Sequence, residues 1–168
     1  MDSSVASKKI VIVEDNPSLS EIYKIRLESI GYTCFLAYNG ITALYFIQQE
    51  QPDLVLLDLM VPDIAGDQIL ARMRASDWGK HIPVFIISNL NEADAPAGLR
   101  ELGIEGYAVK ANLSNDQIDR IVDNILRPEV QVPTSSSVDT QPDNGVQPTE
   151  NPIVQMSVSQ PPTDQQPQ

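Results

Sequence analysis

The feature that most limits the fold of this chain is an alternation of short apolar runs with segments of helical spacing. The runs are rich in β-branched and other aliphatic residues, as in strands that are buried on both faces. The five predicted strands are Ile10–Val13, Thr33–Ala37, Leu54–Leu57, Val84–Ile87 and Tyr107–Val109. Strands alternating with helices predict a doubly wound α/β fold, with a parallel sheet between two layers of helices.

Capping residues mark the predicted helices. The first begins at Asn16-Pro17 and ends at Gly31, because asparagine caps a helix, proline suits its first turn and glycine ends it. Its predicted buried face comprises Leu19, Ile22, Tyr23, Leu27 and Ile30. The other helices are predicted at about Gly40 to Gln49, Ala65 to Ala75, Asn91 to Gly103, and Ser114 to Arg127, the last with Ile118, Ile121, Val122 and Ile125 at helical spacing.

The fourth of these helices is interrupted by Pro96 and Gly98. Proline is tolerated only in the first turn of a helix, and an internal glycine costs about 1 kcal/mol relative to alanine. We therefore predict that this helix begins late, near Ala95, and is easily displaced.

Three acids follow two of the predicted strands. Glu14 and Asp15 come directly after the first strand, and Asp58 directly after the third. Ligand sites of parallel sheets lie at the carboxyl ends of the strands, where such acids repel one another unless a cation or a proton lies between them. These acids therefore predict a magnesium site, with Asp15 and Asp58 as direct ligands, Glu14 acting directly or through water, and the backbone carbonyl of Met60 as a further ligand.

Two more polar residues lie at the ends of neighbouring strands. Ser88 follows the fourth strand and Lys110 the fifth. A metal-bound aspartate is an oxygen nucleophile toward phosphorus, and a lysine charge and a hydroxyl stabilise phosphoryl oxygens. The set predicts phosphoryl chemistry at Asp58, assisted by Lys110 and Ser88.

These motifs resemble the receiver domain of bacterial two-component response regulators over about residues 8–127. They are Val13-Glu14-Asp15-Asn16, Leu56-Leu57-Asp58-Leu59-Met60-Val61-Pro62-Asp63 with Gly66, Ile86-Ile87-Ser88, and Tyr107-Ala108-Val109-Lys110. The resemblance implies a flavodoxin-like fold with strand order 2-1-3-4-5 and five helices.

The resemblance also implies a signalling domain rather than an enzyme, beyond self-phosphorylation from phosphodonors and autodephosphorylation. A histidine kinase or a histidine phosphotransfer protein would transfer a phosphoryl group to Asp58, with Mg²⁺ on Glu14, Asp15 and Asp58. Ser88 and Lys110 would contact that group. Movement of Ser88 and inward rotation of Tyr107 would then switch the surface of the fourth helix, fifth strand and fifth helix. That surface would bind an unknown downstream protein and support a phosphorylation-dependent homodimer.

Two residues depart from the family pattern beside the site. Ala111 follows Lys110 where receivers usually have a proline with a cis bond, so either the Lys110–Ala111 peptide is trans or the loop is strained. Asn89 follows Ser88 where a very small residue is usual, so we expect it to slow small phosphodonors or change hydrolysis.

Composition divides the chain into a receiver domain, residues 1–127, and a tail, residues 128–168. The tail holds eight of the thirteen prolines, many Gln, Ser and Thr, and no Lys, Arg or aromatic residue, which predicts disorder. No output domain is expected in it. A net charge of −12 with no basic stripe argues against direct binding of nucleic acids or anionic membranes.

The same sequence predicts a cytoplasmic protein. No signal peptide or run of roughly 20 apolar residues is visible. Cys34 is the single cysteine, so it has no disulfide partner in the chain and fits a reducing compartment as a small buried residue.

Two other functions share part of this pattern. A receiver-like scaffold that binds partners without phosphorylation is suggested by Ala111 and Asn89. A magnesium phosphatase of the dehalogenase-like type also uses a strand-end aspartate, but it needs a second acid two residues later, where this chain has Met60. A flavin-binding flavodoxin is excluded, because no Ser/Thr-rich phosphate loop follows the first strand.

Overall fold

A computed structural model describes residues 7–127, which form one five-stranded parallel sheet in the order β2-β1-β3-β4-β5. The strands are β1 Lys9–Val13, β2 Thr33–Ala37, β3 Leu54–Leu57, β4 Val84–Ser88 and β5 Gly106–Val109. The α-helices are α1 Pro17–Ser29, α2 Gly40–Glu50, α3 Gly66–Arg74 and α4 Asn115–Leu126, with 3₁₀ turns at Glu92–Asp94 and Lys110–Asn112. The predicted tail lies outside the described residues.

The doubly wound fold and the strand order are confirmed. Successive side chains of β1 point to opposite faces of the sheet, as the pleat requires. Val11 and Val13 pack in a cluster with residues of α2 and α3, whereas Ile10 and Ile12 pack with residues of α1 and α4. The central strands are therefore buried on both sides, which explains their continuous apolar runs.

The predicted caps of α1 are confirmed. The side chain of Asn16 accepts hydrogen bonds from the backbone N–H groups of Ser18 and Leu19, and Gly31 has a φ of +101° just beyond the helix. One residue of the predicted buried face is wrong, since Ile22 is exposed and Ser20 is buried in its place. The Ser20 hydroxyl avoids the cost of burial by donating to the carbonyl of Pro17 at 3.0 Å.

The predicted fourth helix is wrong, because residues 91–103 form the Glu92–Asp94 3₁₀ turn followed by hydrogen-bonded turns. Pro96 disfavours helical geometry in the residue before it, and Ala95 is extended, with φ −73° and ψ 157°. Gly98 then adopts a φ of +89°, which a right-handed helix does not contain. The surface expected to include that helix is built instead from the loop of residues 91–105, β5 and α4.

Arg74 holds this loop against the end of α3. Its guanidinium donates to the carbonyl oxygens of Leu102 and Gly103, both at 2.7 Å, and to those of Gly79 at 3.1 Å and Ile82 at 3.0 Å. A single side chain therefore satisfies backbone carbonyl groups of two loops.

Two further expectations concern burial and membranes. Cys34 is buried as predicted, and burial raises the pKa of its thiol to about 12. Among the helices of residues 7–127, none has the length and apolar character needed to span a bilayer.

Candidate functional site

The two buried acids of the site are fixed by extensions of the sheet. The backbone N–H of Glu14 donates to the carbonyl of Ala37 at 3.0 Å, and that of Asp58 donates to the carbonyl of Val13 at 3.0 Å. Both side chains are almost fully buried, whereas Asp15 is exposed. Carboxylate oxygens of Glu14, Asp15 and Asp58 lie within 4.8 Å of one another. The sheet edge thus brings the three predicted acids together.

Lys110 lies between the two buried acids. Its Nζ is 2.6 Å from Oε2 of Glu14 and 2.5 Å from Oδ2 of Asp58, and the lysine side chain is nearly buried. Burial by itself would lower the pKa of Lys110, but hydrogen bonds and charge attraction from Asp58 and Glu14 outweigh burial and raise it. The ammonium is therefore charged at neutral pH and offsets one negative charge of the cluster.

Burial has the opposite consequence for Glu14. It raises the pKa of this carboxyl, and the hydrogen bond and charge of Lys110 offset that rise only in part. Oε1 of Glu14 also accepts the backbone N–H of Asn16 at 3.1 Å. Lys110 is thus the cation that favours the ionised form of Glu14 against the effect of burial.

Asp58 is held by the turn that follows it. Oδ1 accepts the backbone N–H of Met60 at 3.0 Å, and Oδ2 accepts Lys110. A Cβ on Gly66 would lie 2.3 Å from the carbonyl oxygen of Asp58, so α3 begins in contact with the backbone of this turn. Glycine at position 66 is what permits that approach.

Ser88 and Tyr107 meet at a shared loop. Ser88 is the last residue of β4 and is fully buried, and its Oγ is 3.5 Å from the backbone N of Leu90. The hydroxyl of Tyr107, on β5, donates to the carbonyl of Leu90 at 2.9 Å. The loop after Ser88 thus connects the strand end beside the acids to Tyr107 at the edge of the sheet.

An open cleft of about 680 Å³ lies beside the acids. Its lining includes Glu14, Asp15 and Lys110 together with Asn89 and Ala111, the two departures from the family pattern. Both departures therefore line the same cleft as Glu14, Asp15 and Lys110, and Asn89 is exposed there.

Sequence reasoning missed the position of Tyr23 relative to the acids. This buried residue of α1 lines, with Glu14 and Asp58, a small interior void that has no room for a water molecule. Burial and the nearby Glu14 carboxylate raise the pKa of the Tyr23 phenol. Helical spacing predicted that Tyr23 is buried, but not that it packs beneath the site.

The site is therefore a cluster of three carboxylates and one lysine at the carboxyl edge of a parallel sheet, at the place where the strand order reverses beside β1. The model for the response regulator receiver domain family matches residues 10–123. The chain belongs to this family. Receiver domains are signalling domains rather than classical enzymes.

One curated relative of this receiver is a probable transcriptional regulator, ycf27, from Cyanophora paradoxa. It is 34% identical over 141 residues, which are 83% of this chain and 56% of the relative. The chain thus spans a little over half the length of that protein.

Two solved receiver structures are also similar. The signal receiver domain of a putative LuxO repressor protein from Vibrio parahaemolyticus has 27% identity and a TM-score of 0.66, covering 73% of this chain and 92% of that one. The receiver domain of a sensor histidine kinase from Pseudomonas aeruginosa PAO1 has 28% identity and a TM-score of 0.59, covering 71% and 97%. The latter structure holds a magnesium ion in its active site cleft.

Proposed function

We propose that Asp58 accepts a phosphoryl group from a histidine kinase or a histidine phosphotransfer protein. The observation that carries this proposal is the position of Asp58, which is buried, fixed by the sheet and in contact with Lys110 at 2.5 Å. In the transfer, a carboxylate oxygen of Asp58 forms a bond to phosphorus as the bond between phosphorus and the donor nitrogen breaks. The donor imidazole keeps the electron pair of the broken bond.

Lys110 and Ser88 stabilise the transferred group. The Lys110 ammonium supplies a positive charge next to the accepting carboxylate, and its raised pKa keeps that charge at neutral pH. Ser88 supplies a hydroxyl donor from the end of β4 once the loop after it moves toward the phosphoryl group. Both residues compensate the charge on the phosphoryl oxygens.

A divalent cation, Mg²⁺ in our proposal, fits the three acids. Glu14, Asp15 and Asp58 would hold it with the backbone carbonyl of Met60, because hard cations prefer oxygen ligands and their carboxylates already converge. The bound ion would supply positive charge to the acids and to the phosphoryl oxygens. Exposed Asp15 is the acid that remains without a lysine contact, so we expect it to receive the cation first.

We propose that Tyr107 transmits the change to a binding surface for a downstream protein. Leu90 contacts Ser88 through its backbone N and Tyr107 through its carbonyl, so a shift of Ser88 alters the tyrosine contact directly. The surface consists of the loop of residues 91–105, β5 and α4, and a phosphorylation-dependent homodimer would use it as well. The proposed domain spans residues 1–127 and acts in the cytoplasm, without direct binding of nucleic acid.

Labelling by a small phosphodonor tests the assignment. We expect the 168-residue protein to gain one phosphoryl mass from acetyl phosphate in the presence of Mg²⁺, measured by intact mass spectrometry, and the Asp58→Asn variant to gain none. Asp77→Asn is the matched control, because the Asp77 side chain is fully exposed and forms an ion pair with Lys80 outside the acidic cluster. Equal labelling of wild type and Asp58→Asn would refute the assignment.

A further inference from the structure

The outward side of α2 differs in charge from the rest of the domain. Residues 38–49 contain no Asp, Glu, Lys or Arg, and the single charge within α2 is its last residue, Glu50. Each of the other α-helices of residues 7–127 carries both acidic and basic residues. An uncharged solvent face is unusual on a helix of a chain with net charge −12.

This side exposes large apolar side chains. Tyr38 is 40% exposed, and Ile41 and Tyr45 are each 61% exposed. Within α2, the spacing of four residues places Ile41 and Tyr45 on one side of the helix, and exposed Gln48 and Gln49 continue it. Tyr38 directly precedes Asn39, the N-cap of α2. We refer to Tyr38, Ile41 and Tyr45 as the α2 stripe.

Further aromatic rings lie next to the stripe. The rings of Tyr45 and Phe46 have centroids 5.7 Å apart, and those of Phe46 and Phe35 are 6.0 Å apart. With Tyr38, four of the nine aromatic residues of the chain are therefore found on β2, on α2 and between them. Tyrosine and phenylalanine are enriched at protein interfaces because they bury a large area at a low cost in conformational entropy.

We infer that the α2 stripe binds the α2 stripe of a second copy of this chain. Two copies with a net charge of −12 repel each other over most of their surface. The stripe is a place where they can approach without pairing like charges. A lipid surface fits less well, because the stripe has no lysine or arginine to contact lipid headgroups.

The spacing of the stripe suits two-fold symmetry. In an antiparallel pairing of two α2 helices centred between Ile41 and Tyr45, each Ile41 would face Tyr45 of the second copy. Such a contact is self-complementary, as an isologous interface requires. Strand β2, beside α2, is at the opposite edge of the sheet from β5. The stripe therefore lies apart from the surface proposed for the downstream protein, which includes β5.

The size of the stripe sets the strength that we expect. Three partly exposed side chains of this size present roughly 300–400 Å² per copy, below the about 800 Å² per partner of a standard stable interface. The dimer should therefore be weak, with a dissociation constant on the order of 10–100 µM.

Sedimentation of the unphosphorylated 168-residue protein tests the inference. We expect a concentration-dependent monomer–dimer equilibrium, and at least about tenfold weaker association in Ile41→Glu and Tyr45→Glu. Ile25→Glu is the matched control, because Ile25 on α1 is 65% exposed and lies outside the stripe. It should associate like the wild type.

Two results would overturn the inference. One is a wild type that remains monomeric up to about 500 µM, well above the expected dissociation constant. The other is an Ile25→Glu variant weakened as much as the two stripe variants, since a general effect of added charge would then explain the loss. Circular dichroism verifies that each variant is folded without any use of labelling, so failure of the dimer and failure of the phosphoacceptor assignment are separable.

Discussion

At the scale of single residues, Gly66 controls the position of the proposed phosphoacceptor. A methyl group at this position would lie 2.3 Å from the carbonyl oxygen of Asp58 and 2.7 Å from Cα of Leu59. Since both contacts are with backbone, the turn after β3 has to shift. We expect Gly66→Ala to lower the free energy of unfolding by about 1–3 kcal/mol and to reduce the rate of labelling at Asp58.

Gly98→Ala is the control for Gly66→Ala. Gly98 has a φ of +89°, and an added Cβ would meet no atom of residues 7–127 within 4 Å beyond its chain neighbours. Its replacement therefore costs about 1–2 kcal/mol through backbone conformation alone. Urea unfolding should therefore show a loss in both variants, whereas labelling should fall only in Gly66→Ala. Normal labelling of Gly66→Ala would show that the turn tolerates displacement.

Tyr32 provides a prediction for alkaline pH. Its hydroxyl donates to Oδ1 of Asp123 at 2.6 Å, and burial together with this carboxylate raises its pKa from 10.0 to about 12. Above pH 10 the unfolded chain loses the tyrosine proton more readily than the folded chain, so stability falls as the pH rises from 10 to 12. In Tyr32→Phe this part of the pH dependence, about 1–2 kcal/mol, should be absent from unfolding curves. If the stability of the wild type and of Tyr32→Phe fell equally between pH 10 and pH 12, the raised pKa of Tyr32 would be contradicted.

At the scale of elements, the loop of residues 91–105 depends on Arg74 rather than on helical hydrogen bonds. Four backbone carbonyls lose a charged donor in Arg74→Met, which should cost about 2–3 kcal/mol. The effect should be concentrated in this loop, because Leu102 and Gly103 supply two of the four acceptors. Hydrogen exchange of residues 97–105 should accelerate more than that of α4.

Arg72→Met is the matched control for Arg74→Met, since Arg72 is an exposed arginine of the same helix. It should leave exchange in the loop unchanged.

A further prediction concerns the wild type, in which the amides of the loop should exchange faster than those of α4. Equal protection of the loop and α4 would contradict our prediction that this segment is easily displaced.

The same elements show what the sequence could and could not predict. The strand boundaries predicted from the sequence agree with the structure to within one residue at each end. For the central strands β1, β3 and β4 the reason is that runs buried on both faces have a distinctive composition. The predicted fourth helix is absent because Pro96 and Gly98 prevent helical geometry rather than delay its start. Arg74 instead satisfies the carbonyls of Leu102 and Gly103. The sequence around Arg74 does not indicate that its side chain binds carbonyl groups 28 and 29 residues further along the chain. The site acids were easier to find, since the strand ends fix their positions.

At the scale of the whole molecule, the acidic charge couples stability to cations. Any added cation screens a chain of net charge −12, so an increase in melting temperature with MgCl₂ is not by itself evidence of a site. Specific binding adds a contribution of RT ln(1 + [L]/Kd), which is about 1.4 kcal/mol at ten times Kd. The contribution of specific binding should remain when MgCl₂ is compared with NaCl at the same ionic strength.

Asp15 separates these two contributions. In Asp15→Asn the cluster of Glu14, Asp15 and Asp58 loses its exposed carboxylate, while Lys110 still compensates the two buried acids. We expect the specific increase in melting temperature, a few degrees for a domain of this size, to disappear in Asp15→Asn and to persist in Asp77→Asn. The two variants change the net charge equally, so general screening affects both alike. An Mg²⁺-dependent increase that is the same in both variants at matched ionic strength would show that Asp15 does not hold the ion.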